Sequence, residues 1–157
     1  MRSIGKIILM DKKKGIKILV MGLPGSGKTT LSKKLVGLIK SVWLNADKIR
    51  TEFNDWDFSP QGRIRQANRM KKIAQSYIDK EQSIIADFVC PTKKTRSDFN
   101  PDYIVWMNTI NKGRYDDTNK MFENPNSDEV DYVVMTKNAE LHSKEIYEKI
   151  KKKFKLD

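Results

Sequence analysis

At 157 residues with a single cysteine, Cys90, the chain has the size of one domain with one core and can form no internal disulfide. It carries no apolar run of about 18 residues, which excludes a membrane-spanning helix. The short run at residues 7–10 lacks the length and the cleavage site of a secretion signal, so a cytoplasmic protein without membrane partners is expected. The net charge of +11 suits anionic partners, from nucleic acid to small phosphorylated substrates. Much of it lies in Lys12, Lys13 and Lys14 and in Lys149, Lys151, Lys152, Lys153 and Lys155, which read as solvated end runs and do not identify a substrate.

Residues 1–15 read as an extension outside the core pattern. Met10 is a candidate second start site there, and Ile7, Ile8 and Leu9 a candidate edge strand. The domain proper is expected over 16–157. Ile16-Lys17-Ile18-Leu19-Val20-Met21 has the length and β-branched content of a buried strand.

Next comes Gly22-Leu23-Pro24-Gly25-Ser26-Gly27-Lys28-Thr29, followed by Thr30. This is the pattern of Gly, four residues, Gly, Lys and Ser or Thr that wraps backbone N–H groups around phosphates. Lys28 supplies a mobile cation for the β- and γ-phosphates of ATP, and the Thr29 hydroxyl is placed to ligate Mg2+. Leu31, Leu35, Leu38 and Ile39 then recur at helical spacing, so the loop opens a helix whose N-terminus favours negative charge.

Val42-Trp43-Leu44-Asn45 predicts a second strand, and Asp47 and Arg50 lie on one face of the helix after it. Two readings of that pair stand: a general base with an anion clamp, or a helix-capping acid with an exposed arginine. Residues 53–61 predict a loop and 63–80 a helix with Ile64, Ala67, Met70, Ile73, Ala74, Tyr77 and Ile78 on its inner side and Arg63, Gln66 and Arg69 on its polar side. Ser83-Ile84-Ile85-Ala86-Asp87 predicts a buried strand ending in an acid that either orders magnesium water or caps the following turn. A turn and short basic helix follow over 91–99, and Tyr103-Ile104-Val105-Trp106-Met107 predicts the fourth strand.

The polar stretch 108–129 is too long for an ordinary connection and reads as a lid, with Lys112, Arg114 and Lys120 as its cations. A fifth strand is expected over 130–135 and a closing helix over 138–154, with Leu141, Ile146, Ile150 and Phe154 facing inward. His142, the single histidine, has no companion ligand in the sequence and reads as an exposed helix residue. The alternation predicts a three-layer α/β/α fold with a five-stranded parallel sheet.

From the phosphate loop onward the chain resembles adenylylsulfate kinase, a magnesium-dependent enzyme of sulfate assimilation that phosphorylates the 3′-hydroxyl of adenosine 5′-phosphosulfate with ATP. Asn45-Ala46-Asp47-Lys48-Ile49-Arg50 stands where that family has Asp-Gly-Asp-x-x-Arg; Phe58, Ser59, Arg63 and Gln66 parallel its Phe-Ser, Arg and Asn; Val89-Cys90-Pro91 is similar to its Ile-Ser-Pro turn, with Arg96 beyond; Lys112-Gly113-Arg114-Tyr115 is similar to Lys-Gly-Leu-Tyr; and Phe122-Glu123-Asn124-Pro125 to Tyr-Glu-x-Pro. The resemblance implies Asp47 as proton acceptor, and Arg50, Phe58, Arg63, Gln66, Val89, Cys90, Pro91 and Lys112 as substrate contacts. Thr29, from the loop pattern, and Asp87, from its place at the strand end, are the candidate metal residues, and room is left for a homodimer.

Asn45, Gln66 and Cys90 depart from the family's Asp, Asn and Ser. Thr109-Ile110 replaces an Arg-Asp pair, and the lid is shortened. The first half also resembles phage-type polynucleotide 5′-hydroxyl kinases, which share Asn-x-Asp-x-x-Arg and an acid ending the third strand. That alternative implies a nucleic-acid acceptor, consistent with the positive charge. A basic ATP-binding module without phosphotransfer is the non-enzymatic alternative.

Overall fold

The computed structural model describes residues 15–156. The readings of Ile7 to Leu9, Met10 and Lys12 to Lys14 therefore lie outside the described residues.

Five apolar runs form parallel strands: β1 (Lys17–Met21), β2 (Val42–Asn45), β3 (Ile84–Asp87), β4 (Tyr103–Met107) and β5 (Tyr132–Val134). They are ordered β2-β3-β1-β4-β5, with β1 bonded on both sides. Interleaved are α1 (Lys28–Leu38), α2 (Ala46–Phe53), α3 (Pro60–Asp79), α4 (Lys93–Phe99), α5 (Asp116–Met121) and α6 (Ala139–Phe154). The α/β arrangement expected from the sequence is what forms. No helix among the described residues is long and apolar enough to cross a membrane.

Strand alternation splits the core in two. Ile16, Ile18 and Val20 point to one face, where Leu31 and Leu35 of α1, Ile39 just past its end, and Ile146 and Ile150 of α6 cover them. Leu19 and Met21 point to the other, against Ile49 of α2, Met70 and Ala74 of α3 and Phe99 of α4. Both faces are covered because parallel strands need crossover helices, and so the strands read as continuous apolar runs. Leu35 is fully buried, and truncation to Ala would cost about 2–5 kcal/mol.

Some boundaries and faces differ from expectation. Ile64 and Leu141 are exposed, because α3 and α6 carry their inner stripes on Met70 and Ala74 and on Ser143, Ile146 and Ile150. α2 runs through Phe53 and α3 begins at Pro60, so the intervening loop is only 54–59. His142 is half-buried rather than exposed: Nδ1 is 2.8 Å from the Tyr132 hydroxyl and Nε2 is 2.9 Å from that of Thr136.

Parallel strands bring their carboxyl ends to one edge. Asp87 stands in register with Val20 on one side and Asn45 on the other, just before the phosphate loop leaves β1. At the opposite edge a groove of about 600 Å³ is lined by Leu38, Ser41, Val42, Gln82, Ser83 and Leu156, among others.

Candidate active site

The loop between β1 and α1 is shaped for an anion. Gly25 and Gly27 adopt φ of 88° and 102°, a left-handed region that strains any side chain but glycine's. A Cβ at Gly22 would stand 2.9 Å from the Met107 carbonyl, so the loop also needs a bare backbone where it passes β4. α1 begins with no side-chain cap and no acid in its first turn, leaving N–H groups and the positive dipole end for a ligand. The buried Ser26 hydroxyl in this loop has no hydrogen-bond partner. These features fit a phosphate chain.

Lys28 folds back so that Nζ donates to the Leu23 carbonyl at 3.1 Å. Burial lowers its pKa, Asp87 and Asp47 oppose that shift, and Arg114 reinforces it. The result is a half-buried ammonium at the loop, which a phosphate's negative charge would complement. Asp87 Oδ2 accepts from Asn45 Nδ2 at 3.0 Å and from the Thr29 hydroxyl at 3.3 Å. Burial raises the Asp87 carboxyl pKa, offset in part by Asn45, Lys28 and Thr29. A buried carboxylate beside a hydroxyl suits a hard divalent ion that takes its remaining oxygens from phosphate and water. Thr29 and Asp87 therefore fit Mg2+.

The structure separates the capping readings from the chemical ones. Asn45 caps α2, accepting from the Lys48 N–H at 3.0 Å, and leaves Asp47 exposed in the first turn. Thr92, not Asp87, caps α4. Beyond Asp47, Arg50 is buried and its Nη1 donates to the carbonyls of Asp55 (2.9 Å) and Asp57 (3.3 Å). Its guanidinium stacks 4.2 Å from the Phe58 ring, and that of Arg63 lies 5.6 Å from the same ring. Phe58 is half-exposed, so it presents an aromatic face between two cations. Gly62 allows this packing, since a Cβ there would meet the Asp57 carbonyl at 2.1 Å.

Other expected contacts are braces. Gln66 is buried and donates to the Ala46 carbonyl (3.0 Å), which ties α3 to the start of α2, while its amide oxygen accepts from Arg69 one turn further along α3 (2.8 Å). Cys90 is fully buried at φ 48°, and burial pushes its thiol pKa up. Its carbonyl accepts from Arg96, and that of Pro91 from the Glu123 N–H at 2.7 Å. Val89 is half-buried in the same turn, and Lys112 is exposed on the lid.

The lid contains α5, which its polar composition did not announce. Gly113 packs on the phosphate loop, an added Cβ falling 3.1 Å from the Pro24 carbonyl, and the Asn119 amide clasps the Gly113 N–H (2.8 Å) and carbonyl (2.9 Å). The Thr109 hydroxyl donates to the Ser26 carbonyl at 2.6 Å, and Lys137 Nζ to that of Gly25 at 3.1 Å. The contacts of Thr109 and Lys137 with the phosphate loop were not identifiable beforehand, because their partners lie 83 and 112 residues away with no local motif.

A phosphate loop on the centre strand, a carboxylate on the adjacent one and a lid packed on the loop define a P-loop nucleotide-binding protein of the kinase type. A family profile described as an AAA domain matches residues 18–100, more than half of the chain, and the chain belongs to that family. The probable adenylyl-sulfate kinase of Aeropyrum pernix is 33% identical over 91 residues, 54% of this chain and 50% of that protein, so the match spans half the length of that relative. The APS kinase CysC of Mycobacterium tuberculosis, solved with AMPPNP and APS, superposes with a TM-score of 0.70 at 17% identity, covering 88% of this chain and 98% of that one. Shikimate kinase from Acinetobacter baumannii, solved with shikimate, superposes at 0.60 with 17% identity over 88% and 94%. The resemblance to adenylylsulfate kinases thus recurs in the sequence comparison, and the fold is shared with kinases of other small acceptors.

Proposed function

We propose that the chain is a cytoplasmic adenylylsulfate kinase that moves the γ-phosphoryl group of ATP to the 3′-hydroxyl of adenosine 5′-phosphosulfate. The observation that supports it most is that Asp87, bonded to Thr29 at the phosphate loop, and Asp47 both act on the Lys28 ammonium, while Arg50, one turn along α2 from Asp47, stacks on Phe58 with Arg63 beside the same ring. The aromatic face suits a flat base, and the guanidinium beside it suits an anionic tail.

ATP with magnesium would supply the phosphoryl group and the charge shielding that its transfer requires. The loop N–H groups and Lys28 bind its phosphates, and Thr29 and Asp87 hold the metal. Asp47, exposed at the mouth, orients the acceptor hydroxyl and takes its proton. Arg114, the lid cation that acts on Lys28, stands in for the cation missing at Thr109-Ile110. Most of the rate enhancement would come from positioning and fixed charge.

Labelled ATP offered with adenosine 5′-phosphosulfate and, separately, with a 5′-hydroxyl oligonucleotide tests this reading. Label on the phosphosulfate is expected; label on the oligonucleotide alone, or on neither, refutes it.

A further inference from the structure

One contact within the cleft has no place in that mechanism. Arg63 Nη2 meets Asp117 Oδ2 of α5 at 2.9 Å, joining α3 to the lid across 54 residues. The rest of Arg63 is fixed: its Nε donates to the Phe58 carbonyl at 2.9 Å, and the guanidinium lies against the Phe58 ring. Its Nη2 edge therefore has a set direction, and a carboxylate occupies it.

α5 is equally constrained. Thr118, beside Asp117, is buried, and Asn119 clasps Gly113, which packs on the phosphate loop. Asp117 is thus presented to the cleft by a lid already folded down, while its own side chain is 70% exposed and free to leave.

We infer that Asp117 is an acceptor-mimicking latch: it occupies on Arg63 the place an anionic acceptor needs, so that acceptor entry displaces it and unties α5 from α3 in the same event, while Thr118 and Asn119 still hold α5 to the rest of the lid. This rests on the acceptor reading proposed above. A carboxylate and a phosphate or sulfate oxygen compete for the same guanidinium edge, and both cannot bond it in one geometry. An acceptor lacking an anion gains nothing by the exchange and leaves the lid tied. The strength of the latch is bounded, because an ion pair this exposed contributes little. Its removal should therefore shift acceptor affinity by about two- to fivefold.

The test compares wild type, Asp117→Asn and Asp116→Asn, the last removing the same charge one residue away. Calorimetry gives the affinity for adenosine 5′-phosphosulfate without ATP, and hydrogen exchange of the α5 amides gives lid release in the ligand-free protein. Asp117→Asn is expected to bind the phosphosulfate two- to fivefold more tightly and to exchange α5 faster, with Asp116→Asn like wild type. Unchanged or weaker binding by Asp117→Asn, or an equal gain in Asp116→Asn, overturns the latch. Should neither wild type nor Asp117→Asn bind the phosphosulfate, the acceptor reading falls separately. Exchange then decides: faster exchange in Asp117→Asn alone upholds the tie between α3 and the lid, and unchanged exchange removes it.

Discussion

The Thr29 hydroxyl donates to Oδ2 of Asp87 at 3.3 Å, on the same oxygen that takes the Asn45 amide at 3.0 Å, so one carboxylate oxygen joins the carboxyl ends of β2 and β3 to the first turn of α1. In the absence of Asn45 the buried carboxylate would lose its shorter, orienting donor. Asn45→Ala is expected to weaken magnesium affinity by about 10–100-fold, the usual effect of losing a partner that orients a ligand. Asp87→Asn should remove magnesium-dependent ATP binding. Calorimetric titration of ATP with and without the metal measures both, and an unaltered metal dependence in Asp87→Asn would remove that residue from the site.

Lys28 is half-buried with its ammonium on the Leu23 carbonyl, and Asp47 is an exposed carboxylate, so neither side chain belongs to the apolar core. Lys28→Ala and Asp47→Ala should keep the wild-type thermal transition within a few degrees. Phosphoryl transfer is expected to vanish in the first and to fall by about 10²–10⁴ in kcat in the second. Wild-type turnover by Asp47→Ala would exclude it as the base.

Asp55 accepts from Arg65 at 2.7 and 3.0 Å and from Arg69 at 2.9 Å, and these bonds hold its carboxyl well below the usual carboxylate range. A depressed carboxyl stabilises the fold above its unfolded pKa of about 3.9, and that contribution is lost as pH falls toward the folded value. Asp55→Asn should therefore be less stable than wild type at pH 7, with the gap closing progressively below about pH 4. Urea midpoints across that range follow it; a gap constant with pH would show that the loss is packing rather than charge.

The hub of the lid's far end is Arg96, 1% exposed, with Nε on Glu129 at 2.8 Å and Nη2 on the Glu123 carbonyl at 2.6 Å. Arg96→Ala leaves Glu129 and two backbone carbonyls without their donor. A loss of about 3–5 kcal/mol in unfolding free energy is expected. Faster exchange of the Glu123 amide, which bonds the Pro91 carbonyl, should accompany it.

The elements that a short window of sequence can specify were legible. Val20 and Val105 sit in runs whose apolar content marks buried parallel strands, and Gly22 to Thr29 needs only its own glycines and lysine to make a cradle. Asp47 and Asp87 were placed by their position at strand ends, yet which residue caps α2 was not, because Asn45 and Asp47 are both good caps and the choice lies in backbone geometry. Faces failed where an apolar residue falls at the rim of a stripe, as at Ile64 and Leu141. Braces such as Gln66 and the grip of Lys137 on Gly25 depend on partners 20 and 112 residues away, which no periodicity encodes.

The groove lined by Ser41, Ser83 and Leu156 lies at the edge where strands begin, and Gly15 abuts the Gln82 carbonyl beside it. Both ends of the described chain thus emerge on the side away from the catalytic rim. The rim that carries Lys28, Thr29 and Asp87 therefore stands at the opposite edge of the sheet from Gly15 and Leu156, so substitutions in the groove can be made without touching the phosphate loop.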